Sequence, residues 1–212
     1  VIDVNEVIKK HTKIMPNLLG AHALTGCDTV SCFYGVGKAS ALKNLEPYLD
    51  SLLLGNTETP LDEVIESCLR YVASLYREEP NDSLDTMRRN IFTRKAGGKR
   101  LVPPKLMSLP PTMAAFRPHC QRAHYQVALW VAAGKPVPPA LDPLKNGWRM
   151  KSSTIQPVYL ENDQPVDRKK SSISLSVGVR ATAEQPSAAA PNRHWHAWNS
   201  AAVRAMSAAK IQ

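Results

Sequence analysis

The middle of this chain repeats apolar side chains at the three- and four-residue steps of an α-helix, and that periodicity restricts its fold more than any other feature. Within LDEVIESCLRYVASLYRE, the residues Leu61, Val64, Ile65, Cys68, Leu69, Val72 and Leu75 fall on one stripe, which predicts an amphipathic helix with a face to bury. Thr59-Pro60 stand at its N-terminus, and Asp62 and Glu63 occupy the first turn, where the helix dipole favours acids. A second strong helix is expected from Thr112, in TMAAFRPHCQRAHYQVALWVAAGK. Its apolar face collects Met113, Phe116, Cys120, Ala123, Val127, Trp130 and Val131. Pro118 is expected to kink or split it near Arg117, because a proline nitrogen has no hydrogen to donate.

Weaker blocks surround these two. Asp3 can cap a first helix with Val4, Val7 and Ile8 on its apolar face. Pro16 opens a second, MPNLLGAHALTG, with Leu18, Leu19 and Ala23 inward and His22 as a further inward candidate. A short helix from about Ser40, another from Pro47 through PYLDSLLLG, and DSLDTMRRNIFTRK capped by Asp82 or Ser83 complete the series. The expected fold is mainly α, followed by a largely irregular tail. Its divisions are a helical region over 1–95, a linker over 96–111, the amphipathic helix over 112–134, a proline-rich extended segment over 135–170 and a disordered tail over 171–212.

Lys and Arg number 27 against 18 Asp and Glu, a net charge of +9 that suits a polyanionic partner. No run approaches the roughly 20 apolar residues of a spanning helix, so no membrane partner is expected. The start, VIDVNEVIKK, has no secretory pattern and no initiator Met, so the chain reads as an internal or truncated piece of an intracellular, nuclear protein. The cysteines Cys27, Cys32, Cys68 and Cys120 are few and irregularly spaced, which predicts reduced thiols rather than a disulfide framework.

The stretch LTGCDTVSCFYGVGKASAL, Leu24 to Leu42, carries the chemistry. Gly35 and Gly37 let the backbone bend sharply and approach a phosphate with N–H groups outward, and Lys38 adds a positive charge. Such a turn grips a nucleic-acid backbone without reading bases, in a salt-sensitive way. The same residues also suit a tight helix–helix turn that needs glycine only for its geometry.

The order Leu-x-Gly-x-Asp, six residues, Gly-x-Gly and then Ala-hydrophobic resembles the core of the flap-endonuclease branch of the PIN-like nucleases. The resemblance implies the helical C-terminal half of an α/β domain with a helix–two-turn–helix. It makes Asp28 a candidate metal ligand, for Mg²⁺ or Mn²⁺, and Gly35, Gly37 and Lys38 candidate phosphate contacts. The family's two-metal hydrolysis needs several carboxylates around ions about 4 Å apart. Most of these come from well upstream of the Gly-x-Asp element, and this chain begins only about two dozen residues before Asp28. The expectation is therefore a nuclease-like protein without a complete site.

A second resemblance covers LPPTMAAFRPHCQRAHYQVALW, with NGW and QPVY beyond it. It is similar to a block in transposon-associated animal proteins, where a Gly-Cys-Asp-Thr segment precedes a Leu-Pro-Pro-Thr…His…Arg-Ala…Tyr-Gln…Trp helix. On that helix Arg117, His119, Arg122 and His124 offer either a phosphate-facing polar side, with Arg117 and Arg122 as contacts, or a solvated face. His119, Cys120 and His124 also have the composition of a metal cluster, but Cys120 belongs to the apolar stripe, as a buried thiol would.

Residues 171–212 are dominated by Ala and Ser and too poor in large apolar residues to fold alone. Read two bases later, with suitable codons, the tail becomes a Cys-x-Cys series of the kind that wraps zinc. Three functional readings follow: a truncated nuclease-like protein of mobile-element origin, a non-catalytic DNA- or RNA-binding protein, and a helical interaction module.

Overall fold

A computed structural model describes residues 3–48, 52–97, 104–137 and 139–161. The chain is mainly helical: α1 (Val4–Lys10), α2 (Met15–Leu24), α3 (Lys38–Lys43), α4 (Leu61–Tyr76), α5 (Leu84–Ala96) and α6 (Met113–Val131), followed by strands β1 (Trp148–Lys151) and β2 (Thr154–Pro157). The shifted-frame reading of the tail lies outside the described residues.

The α4 stripe is the centre of the core. Val64, Ile65, Cys68 and Val72 are fully buried, joined by Ser67, Tyr71 and Ala73. Burying each large apolar side chain among them contributes about 1.5–3 kcal/mol. Two helix entries follow the expected chemistry. Asp3 caps α1 by accepting from the Asn5 N–H at 2.8 Å, and Ser83 caps α5 by accepting from the Thr86 N–H at 3.1 Å. The four cysteines are free, and Cys68 and Cys120 are buried.

α6 packs against both α2 and α4 and is buried on more than its apolar face. Phe116, Cys120, Ala123 and Val127 are inside as expected, whereas Met113 and Val131 are exposed. The expected break at Pro118 is absent: α6 runs unbroken through it. The reason lies in the carbonyl that Pro118 leaves without a donor. The Ala114 carbonyl accepts instead from the Glu161 N–H at 3.0 Å, so the backbone is satisfied from outside the helix.

Other expectations are corrected. In α2 the inward residues are Gly20, Ala21, Ala23 and Leu24; Leu19 is exposed, Leu18 half-buried, and His22 points outward, 5.7 Å from the Trp130 ring. Among the described residues around Pro47 there is a single 3₁₀ turn, Glu46–Tyr48, and Leu52–Leu54 run without helix; the middle of the expected helix, 49–51, lies outside the described residues. The end of the expected linker is tied down, since Leu109 and Pro110 are buried and Arg88 donates to the Pro110 carbonyl. The proline-rich segment holds an antiparallel hairpin, with Trp148 opposite Pro157 and Lys151 opposite Thr154. Its turn places Ser152 and Ser153 at positive φ, where Asn-Gly is the usual signal.

Candidate nucleic-acid interface

Two successive tight turns join α2 to α3. The first closes Cys27 on Val30 by a pair of backbone hydrogen bonds, 2.9 and 3.3 Å, and holds exposed Asp28 near its tip. It starts from Gly26, whose φ of +110° and close approach to the Cys32 backbone leave no room for a Cβ. The second turn runs from Phe33 to Val36, closed at 3.2 Å, and leads through Gly37 into α3.

α6 holds these turns by side chains. His119 Nε2 donates to the Leu24 carbonyl at 2.7 Å, and its Nδ1 accepts from the Ser31 hydroxyl at 3.3 Å. The Thr29 hydroxyl donates to Gln126 Oε1 at 2.6 Å. The Phe33 ring lies 4.7 Å from the His119 ring. Burial lowers the His119 pKa to about 4, a direction that nearby Arg122 reinforces, so the imidazole is neutral. The two sequence blocks that stood apart, Gly-Cys-Asp-Thr and the His…Gln helix, are thus one packed unit. Gln126 carries no catalytic signature in the sequence, and its role shows only in this packing.

The expected site residues separate into groups. Gly35 has φ +77° and faces open space, and Gly37 also has nothing within 4 Å of a Cβ position. Gly35 is required by its backbone angle, whereas neither crowding nor φ requires glycine at Gly37. Lys38 is already committed: its ammonium donates to the His22 carbonyl at 2.6 Å, to Thr25 Oγ1 at 3.0 Å and to the Gly26 carbonyl. Those three acceptors match the three hydrogens of an ammonium group and cap the C-terminus of α2.

Arg117 and Arg122 are both already partnered, Arg117 half-exposed and Arg122 in the core. Arg117 pairs with Asp62 at 2.7 Å and with Glu161 at 3.2 Å. Arg122 is only 2% exposed; it donates to the Gly147 carbonyl at 3.3 Å and to the Val158 carbonyl, with its guanidinium 5.6 Å from the Tyr159 ring. His124 is also buried, accepting from the Gly55 N–H at 3.1 Å. At Arg122 and His124 this side of α6 is neither solvated nor open to phosphate, because the base of the hairpin and the Gly55 turn cover it, while Arg117 stays half-exposed between two acids.

What the turn does meet is a basic groove. α3 is held on α4 by the Tyr71 hydroxyl, which donates to the Ala41 carbonyl at 2.8 Å. Shallow cavities lie on either side of the α4 C-terminus, one reaching Ser40 and Lys43 of α3, the other reaching Tyr34, Gly35 and Lys95. Arg77 lines both, and no acidic side chain lines either. Among the described residues, Lys43 and Arg77 make no ion pair, whereas Arg94 pairs with Glu78 at 2.8 Å. Arg77 sits at φ 61°, ψ 42°, the left-handed end of α4 where glycine would be less costly.

Asp28 does not belong to a carboxylate cluster. Among the described residues no group of three His, Cys, Asp or Glu could hold a metal ion. The described residues thus gather no carboxylates around Asp28 for a two-metal centre. No helix among the described residues is long and apolar enough to cross a membrane. No family model, no curated protein and no solved structure matches this chain.

Proposed function

We propose that this chain binds the phosphate backbone of a nucleic acid, without sequence preference, through the Gly35–Gly37 turn and the basic groove beside it. One observation carries the reading: the open Gly35 lines a cavity with Arg77, Arg77 also reaches the neighbouring cavity that Lys43 lines, and no acid lines either. The +9 net charge supports the same partner. The two successive turns between α2 and α3, which carry the Gly-Cys-Asp and Gly-Val-Gly elements, support the PIN-like resemblance, and a nuclease-like, mobile-element origin and a nuclear location belong to that reading.

Binding of a labelled oligonucleotide should weaken steeply between low and moderate salt. Changing Lys43 and Arg77 together to Gln should flatten the log–log salt slope by about two phosphate contacts, each about 0.9 or less. Salt-independent binding refutes the reading. Arg77→Gly separates binding from folding, because it should hold or raise stability, by up to about 1 kcal/mol, while weakening binding. A Mg²⁺- or Mn²⁺-dependent nicking assay with Asp28→Ala tests the catalytic version, and equal cleavage by both proteins removes Asp28 from it.

A second reading rests on a different surface. Val4, Val7 and Ile8 on α1 are 65%, 45% and 42% exposed, an apolar face that suits a helical interaction module.

A further inference from the structure

We infer that the groove takes an unpaired nucleotide, its base stacked on Tyr34 and its phosphates on the glycine turn and Arg77, so that single strands bind in preference to duplex. The inference rests on the proposed backbone-binding reading and adds the strandedness of the ligand.

Phe33 and Tyr34 are adjacent and face opposite ways. Phe33 is buried beside His119 and Phe116, while Tyr34 remains 50% exposed immediately before Gly35. Among the described residues Phe92 and Tyr159 are exposed as well, but only Tyr34 of the three lines this cationic cavity. The cavity that Tyr34 lines is built from two kinds of surface. Val36, Leu75 and Ile91 supply an apolar floor, and Arg77 and Lys95 supply a cationic rim, Arg94 beside them being held by Glu78.

A duplex backbone has use for only one of these surfaces. Its bases are stacked inside, and it presents phosphates and sugars to the protein, which the rim can pair and the floor cannot. An unpaired nucleotide presents both: a π-face for the tyrosine ring, an apolar edge for the floor and a phosphate for the cations. The open space at Gly35 and Gly37 lets the backbone on the 3′ or 5′ side lie close to the turn without a side chain in the way. Stacking is tolerant of base identity, so the groove discriminates strandedness and not sequence.

The test measures anisotropy of the full chain with a labelled oligothymidylate and with a blunt duplex of equal length, at matched salt. The wild type should bind the single strand several-fold tighter. Tyr34→Leu should lose on the order of tenfold on the single strand and leave duplex binding unchanged, while Tyr34→Phe keeps both. Tyr34 is exposed, and thermal melts of the variants check that each is folded. Equal, salt-dependent binding of both ligands with no effect of Tyr34→Leu overturns the inference and leaves the phosphate reading standing. Salt-independent binding of both overturns the phosphate reading and this inference with it.

Discussion

Lowering the pH asks His119 to accept a proton where it cannot be solvated. Its Nε2 already carries the hydrogen given to the Leu24 carbonyl, so the new proton must go to Nδ1 and cost the hydrogen bond accepted from Ser31. Burial holds the folded pKa near 4, against an unfolded value of 6.5. Between those two values the unfolded state binds more protons, so stability is complete above about pH 6.5 and falls as the pH drops toward 4. At about pH 5 the loss from this one group is about 2 kcal/mol relative to neutral pH. His124, whose pKa burial also lowers, adds to the fall in the same direction. The assay is urea unfolding followed by circular dichroism at about pH 7.5 and about pH 5, for the wild type and His119→Gln. The glutamine cannot titrate, so the variant should retain about 2 kcal/mol of the difference, whatever its own stability at neutral pH. Equal losses in the two proteins refute the reasoning.

Two further substitutions probe the interface and its frame. Lys38→Met keeps the aliphatic stem and removes the cap on α2, so it should lower stability by about 1 kcal/mol, read as a drop in thermal midpoint. Weaker oligonucleotide binding with an unchanged midpoint would instead put Lys38 on the phosphate. Gly55→Ala forces a Cβ to within 2.5 Å of Val127 Cγ1 at a φ of +86°, and should cost about 2 kcal/mol or more in urea unfolding.

The helices that bury one apolar stripe were legible from spacing alone, as Val64, Ile65, Cys68 and Val72 show. The polar side of α6 was not. Arg122 is buried because the Gly147 and Val158 carbonyls reach it, and those arrive on a hairpin whose Ser152-Ser153 turn lacks the usual glycine or asparagine. A polar residue on a helix reads as solvated until such partners are known. The glycine turn was visible as a motif. Lys43 and Arg77 were not, since only the packing of α3 on α4 through Tyr71 sets Arg77 between the cavity of Gly35 and that of Lys43. Lys38 shows the converse, a cation read as free that the end of α2 already holds.

The bond from Glu161 to Ala114 also bears on the order in which the chain assembles. A peptide spanning α6 alone would carry an unmatched carbonyl one turn before Pro118 and would fray there. The matching donor arrives only after the hairpin has closed a long stretch of chain, a step slower than helix growth. α6 is therefore completed by tertiary folding and does not seed it.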